Sequence, residues 1–213
     1  MVFFFTTSTG HVIYMGADKH ENEGLIKHGL PTDVWFHVDD LSSAHVYLRL
    51  KEEETLDTVS PTAIHECATL VKANSIEGCK KGEVTILYTP WANLHKTSDM
   101  VAGAIGHHDR KQMFRTKAKK DGPLVNKLNK TKKEEFPDLL ALQQDYARQQ
   151  QVKLKEAKRL AREAAAAERA EREKQKELES YSSLFDGANM LSNAQIGGSA
   201  TAEAAKDFED DFM

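Results

Sequence analysis

Hydrophobic and polar positions alternate in two clean runs. Across Asp33–Val38, the side chains of Val34, Phe36 and Val38 fall on one face, and Asp33, Trp35 and His37 fall on the other. Across residues 44–50, Val46, Leu48 and Leu50 oppose His45, Tyr47 and Arg49. A period of two predicts half-buried strands. Two further β-rich runs, residues 2–7 and 11–16, flank Ser8-Thr9-Gly10 and predict a hairpin. Asp18 or Asn22 is placed to cap a short helix through Leu25 and Ile26 to His28, stopped by Gly29 and Pro31. Ser60 followed by Pro61 starts a second helix, with Ile64, Cys67, Ala68 and Val71 at helical spacing to about Ala73. Residues 84–89 predict another strand, broken by Pro90-Trp91, and residues 99–105 a last one weakened by Gly103. The expected fold class is α+β, a small mostly antiparallel sheet with packed helices over residues 1–106.

The pattern changes after that. Residues 107–135 predict a basic linker with a short helix. From Asp138 to about Ser180 there is no Gly or Pro, and Ala, Gln, Glu, Lys and Arg dominate. Such a helix, over 136–180, is on the order of 60 Å long. Leu139, Tyr146, Leu160 and Ala167 share a heptad position that Lys153 interrupts, while the companion position holds Leu142, Gln149, Glu156 and Glu163. That seam is weak for a coiled coil. Residues 181–213 read as a disordered tail, ending in acidic-aromatic Asp207-Phe208-Glu209-Asp210-Asp211-Phe212.

Composition sharpens this picture through the placement of charge. The 213 residues carry 29 Lys and Arg against 33 Asp and Glu, yet residues 105–133 alone hold ten Lys and Arg against two Asp. A block of that density suits a polyanion, because clustered cations displace the counterions condensed on phosphates. The alternative is a solubilising linker or a dock for the chain's own acidic segments. Two cysteines, Cys67 and Cys79, make neither a disulfide framework nor a four-ligand zinc site, and they suit a reducing compartment. Apolar runs are too short or too interrupted for a membrane span, and neither a basic n-region nor a small-residue cleavage site precedes them. The expectation is a soluble, cytoplasmic protein.

Catalytic and metal chemistry find little support. There is no GxSxG, P-loop or GxGxxG motif, and the nine histidines include no HExxH. No cofactor and no metal site are expected. The more informative constellation is the strand face carrying Trp35, His37, His45, Tyr47 and Arg49. Rings interleaved with cations on a sheet surface hold single-stranded nucleic acid by stacking and phosphate contact. The competing reading is that Trp35 and Tyr47 are core under a helix such as Pro61–Ala73.

The same residues carry a family likeness. The run Asp33-Val-Trp-Phe-His37, then Ser-Ala-His45-Val, resembles the signature of the NFACT-R domain, a module of ribosome quality-control factors and of fibronectin-binding-protein-like bacterial relatives. Gly16-Ala-Asp-Lys-His-Glu-Asn22, Ala73-Asn-Ser75, Tyr88-Thr89, Lys96 and Met100-Val-Ala-Gly103 are similar to further family segments in the same order. Phe136-Pro-Asp-Leu139, a charged helix and Ser180-Tyr-Ser-Ser-Leu184 extend the likeness to stand-alone eukaryotic members with a coiled coil. The resemblance implies non-enzymatic binding of RNA or DNA and association with ribosomes. For the stand-alone members it also implies sensing of extracellular DNA at the cell surface, through Ala17, Asp18, Lys19, His20 and Glu21, with integrin-linked signalling proteins or the ribosome as partners of helix 136–180. With no span in the sequence, attachment to a cell membrane would be peripheral.

The candidate nucleic-acid contacts are therefore the 17–21 loop, the strand face from Trp35 to Arg49, and a basic set. That set comprises Arg110, Lys111, Arg115, Lys117, Lys119, Lys120, Lys127, Lys130, Lys132 and Lys133. The alternative function is a structural adaptor that binds proteins through its long helix and acidic tail.

Overall fold

In the computed structural model, residues 1–180 are described; the expected acidic tail lies outside the described residues. The chain divides into two units, residues 1–150 and 151–213.

The first unit opens with the expected hairpin, β1 (Val2–Thr6) against β2 (Val12–Gly16), with Gly10 supplying the left-handed turn at φ +79°. Asp18 caps α1 (Lys19–Lys27), its carboxylate accepting from the His20 and Glu21 amides at 2.8 and 2.9 Å. Strands β3 (Asp33–Val38) and β4 (Val46–Arg49) pair antiparallel, and α2 (Pro61–Ala73) begins at its proline. Ser60 precedes that proline as expected but makes no side-chain cap. β5 (Glu83–Pro90) pairs with β3.

The region after residue 90 departs from expectation. Residues 99–105 form no strand. Gly103 sits at φ +88°, and Lys96 Nζ holds the segment by its Val101 and Ala104 carbonyls, each at 2.9 Å. A small ribbon, β6 (Leu94–His95) with β7 (Gly106–His107), flanks the segment instead.

Residues 107–135 are not a linker. They supply β8 (Phe114–Lys119), the short helix α3 (Gly122–Lys130) and β9 (Lys133–Glu135). The seven-stranded antiparallel sheet runs β8-β5-β3-β4-β2-β1-β9, so both of its edges come from the basic segment. The α+β expectation holds, and the domain is longer than its sequence pattern suggests. Both edge strands are mostly polar: β9 joins by backbone pairing, while β8 also lends Ala118 to the core and stacks Phe114 on Tyr88.

Both faces of the sheet are covered. On one, Phe5, Ile13, Val34, Phe36, Val38, Val46 and Leu48 pack under α2, with Leu70, Ala118 and Leu128. On the other, Val2, Tyr14, Trp35 and Tyr47 pack with Leu25 of α1, and Trp91, Leu94, Ile105 and Leu139 lie over them. The last of these belongs to α4 (Leu139–Glu179), whose first turn Asp138 caps through the Ala141 amide at 3.0 Å.

In the second unit, residues 151–179 continue α4 as helix, and every one of them is exposed. Among the described residues, no helix is long and apolar enough to cross a membrane.

Candidate nucleic-acid interface

Strand register assembles the site. Residues opposite one another in an antiparallel pair share a face. Arg115 of β8 stands opposite Leu87 of β5, and Leu87 stands opposite His37 of β3. His37 and His45, beside the Phe36–Val46 pair, meet edge to face with ring centroids 5.0 Å apart. A row Arg115–Leu87–His37–His45 therefore crosses β8, β5 and β3 and ends at the residue before β4. Along β8, alternation puts Lys117 and Lys119 on the same face as Arg115, each about 6.8 Å from the next. All three are exposed.

This row floors a groove of about 920 Å³, with Trp35, the 38–41 turn, Gly103, Ile105, His107 and Arg110 around it. A second lobe of about 480 Å³ shares His37, His45 and Gly103 and reaches Ala17, Asp18 and Lys19. The structure thus brings the 17–19 turn, His37, His45, Arg110 and Arg115 to one feature, although they are far apart in sequence.

The ring system at the floor is tied by hydrogen bonds, and burial disfavours its charged forms. Trp35 stacks on His37 at 5.5 Å with ring planes 3° apart. The Trp35 indole N–H donates to His45 Nδ1 at 2.9 Å. Because an indole only donates, His45 Nδ1 must carry its lone pair, which fixes the other tautomer. Burial, and then the neighbouring His37, push the His45 pKa down to about 3, against a backbone hydrogen bond to Gly103. His37 Nδ1 donates to the Val38 carbonyl at 2.7 Å, and burial lowers its pKa also. Burial does the same for His107, whose Nδ1 is buried with no partner.

The other expected contacts are placed elsewhere, and four corrections follow. The stacking platform is not open: Trp35 is 4% exposed and Tyr47 is fully buried, donating to Asn22 Oδ1 at 3.2 Å. Both are core as the competing reading had it, although α2 is not their cover. Arg49 faces inward, its Nε 2.9 Å and Nη2 3.3 Å from the Asp33 carboxylate. Three backbone amides of the 17–21 turn, those of Ala17, His20 and Glu21, are already hydrogen-bonded. Asp18 holds two amides, the Ala17 amide donates to the Met1 carbonyl at 3.1 Å, and Glu21 pairs with the Met1 ammonium; Lys19 and His20 remain exposed.

The ten-cation block does not form one patch. β8 and β9 lie at opposite edges, about 29 Å apart at the usual strand spacing. Lys132 sits 3.7 Å from the centre of the Phe3 ring and 2.9 Å from Glu134, while Lys133 stands opposite Phe4 on β9. Lys127 and Lys130 ride on α3, which packs on α2 across the sheet from the groove. Lys111 lies in the turn after Asp109, exposed, and Lys120 follows β8.

Two acidic residues temper the groove edge, since Asp39 lies 3.4 Å from Arg115 and Glu83 lies 3.1 Å from Lys117. Exposed pairs of this kind are worth about 0–1 kcal/mol and exchange readily for another anion. Leu87, Gly103 and His107 escaped the motif-based reading as groove residues. The signal for Leu87 was the pairing of β3 with β5, which a single sequence does not state.

Gly16 fixes the angle at which α1 leaves β2. A Cβ there would lie 2.9 Å from the Asn22 amide nitrogen and 3.2 Å from the Asp18 carbonyl, both backbone. Gly16→Ala is therefore expected to cost about 1–3 kcal/mol by forcing α1 off the sheet. Urea unfolding followed by tryptophan fluorescence checks this, and an unmoved midpoint would show that the junction yields freely.

Comparison with known proteins adds three findings. Residues 1–109 match the family described as NFACT protein RNA binding domain. The chain is 47% identical over 202 residues to coiled-coil domain-containing protein 25 of Bos taurus, covering 91% of this chain and 95% of that one. It is 53% identical over 145 residues to the protein of the same name from Danio rerio, covering 66% of this chain and 70% of that one. Among solved structures, the C-terminal part of the fibronectin/fibrinogen-binding protein from Streptococcus suis superposes with a TM-score of 0.50 at 19% identity. The match covers 61% of this chain and 48% of that one, a likeness of fold.

Proposed function

The chain belongs to the family of NFACT protein RNA binding domains, and from that premise we propose that it is a non-catalytic RNA-binding protein whose groove over β3, β4, β5 and β8 receives an unpaired RNA segment. The observation that supports this reading is the row Arg115–Leu87–His37–His45, continued on its own face by Lys117 and Lys119. Phosphates meet exposed cations along β8, and bases meet the apolar floor of Leu87 and the neutral His37 ring. Neutral histidines suit this role, since they present ring faces and single hydrogen bonds without adding charge. Lysine on a sheet edge also guards against aggregation, and that need alone would account for cations on β8. It does not account for a groove opening beside them.

Fluorescence polarisation with labelled single-stranded RNA tests the reading. Arg115→Gln/Lys117→Gln/Lys119→Gln is expected to weaken binding at least tenfold near 0.1 M salt and to flatten the log–log salt slope by about 2, from three lost contacts at ~0.7 each. Lys127→Gln/Lys130→Gln, on the far layer, is expected to leave both within about twofold. Equal losses in the two variants would reduce the effect to bulk charge and remove the groove from the account. Recognition of DNA through the 17–21 turn is a narrower reading, and three of its backbone amides, at Ala17, His20 and Glu21, are already hydrogen-bonded within the chain.

A further inference from the structure

Helix α4 carries a second asymmetry of charge that the groove does not use. Among residues 151–172 there are seven Lys and Arg and four Glu. At 100° per residue, six of the cations fall within one arc of about 140°: Lys155, Lys158, Arg159, Arg162, Arg169 and Arg172. Glu156, Glu163, Glu168 and Glu171 all project outside that arc, as does Lys153. The stripe runs about 26 Å along the axis. A helix stabilised only by its own ion pairs requires cations and anions at i,i+3 and i,i+4, and it gains nothing from gathering one sign on one side. Ion pairs of the helix include Arg159 with Glu156 at 3.7 Å and Glu163 at 3.3 Å, and Arg169 with Glu173 at 3.1 Å, all at the surface; Glu173, the residue after Arg172, lies within the same arc and closes the stripe at its C-terminal end.

What the stripe lacks identifies its occupant. No residue of 151–179 is aromatic, so the helix offers no surface on which an unpaired base could stack. Residues 151–179 are exposed throughout, and their seam of Leu154, Leu160 and Ala is too broken by charge to seat a partner helix. A regular polyanion is bound by phosphate contacts alone, with no apolar contribution, and arginine forks suit phosphate oxygens.

We propose that the basic stripe of α4 is a second RNA site, taking the backbone of duplex RNA, while the groove takes unpaired RNA. The two sites rest on separate observations. Polarisation with the full chain and an RNA duplex of about 16 base pairs tests the stripe. Replacing all six cations by Gln, which keeps helix propensity, is expected to weaken duplex binding at least tenfold near 0.1 M salt and to flatten the salt slope by three or more. A second variant, Ala165→Glu/Ala166→Glu, leaves every cation in place and puts two carboxylates inside the arc; a loss of about fivefold or more is expected from like-charge repulsion of phosphate. Circular dichroism confirms that both variants remain helical. The groove variant Arg115→Gln/Lys117→Gln/Lys119→Gln is expected to leave duplex binding within about twofold, so failure of the groove and failure of the stripe are read separately. Unchanged duplex affinity in the two helix variants overturns the proposal. So does tighter binding of duplex DNA than of duplex RNA, and so does equal binding of polyglutamate, which would make the stripe a dock for acidic protein.

Discussion

Asp33→Ala is expected to lower the unfolding free energy by about 3–5 kcal/mol, the usual cost of removing one member of a buried ion pair. Asp33 has no exposed surface, and three groups converge on it with four hydrogen bonds. Arg49 contributes two hydrogen bonds, the Tyr14 hydroxyl donates at 2.5 Å and the Leu30 amide donates at 2.8 Å. Burial works against the Arg49 charge, and the Asp33 carboxylate outweighs it, holding the guanidinium ionised. Without Asp33 that cation remains between Tyr14 and the second core with nothing to balance it. The Arg49 side chain keeps 32% of its surface in water, which places the expectation toward the lower end of the range. Asp33→Asn keeps an acceptor for Leu30 and Tyr14 and is expected to fall between wild type and alanine. Trp35 and Trp91, the only tryptophans, both lie in the first unit, so fluorescence-detected urea unfolding reports that unit and not residues 151–179. A loss under about 1 kcal/mol at constant m-value would show that the cluster is not holding the sheet.

Acid is expected to unfold the same unit from within its second core. His45 titrates near 6.5 when unfolded and near 3 when folded, chiefly because burial penalises the imidazolium. A depressed histidine contributes stability that is complete above pH 6.5 and is lost as pH falls toward 3, because the unfolded chain binds the proton first. The full shift corresponds to roughly 5 kcal/mol at 1.36 kcal/mol per pH unit, taken as an order of magnitude. His37 and His107 shift in the same direction and add to it. Between pH 6.5 and 5 the carboxylates held low, such as Asp18 and Glu54, remain ionised, so that window belongs to the histidines. His45→Gln retains an acceptor for the Trp35 indole and removes the titration. Its unfolding midpoint is expected to fall more shallowly over that window than that of wild type, and parallel curves would remove His45 from the account.

Much of the fold was legible because local pattern and global structure agree. Asp33–Val38 and Pro61–Ala73 have the bounds that alternation and the Ser60-Pro61 start imply. The short edges were not legible. Phe-Arg-Thr-Lys-Ala-Lys is an unpromising strand by propensity, and β5 makes it one by offering an unpaired edge. The face carrying Trp35 and Tyr47 was ambiguous for a similar reason. Alternation tells which residues share a face, while the cover came from α1, the segment after Trp91 and Leu139. The basic block misled in the other direction, since twenty-four consecutive residues reach both edges of the sheet and the far layer. Sequence proximity gave one patch, and the topology divides it.

That topology also sets a timetable. Phe4 of β1 finds its outer neighbour only in Lys133, and β5 finds its own in residues 114–119. On a translating ribosome at roughly 5–20 residues per second, the first strand waits about 6–26 s for its partner. Until residues 114–119 emerge the half-made sheet has two raw borders, and until residue 133 it keeps one, each able to recruit a strand from a neighbouring nascent chain. A chain truncated between residues 90 and 133 is therefore expected to keep at least one uncovered border and to aggregate, where the full first unit does not.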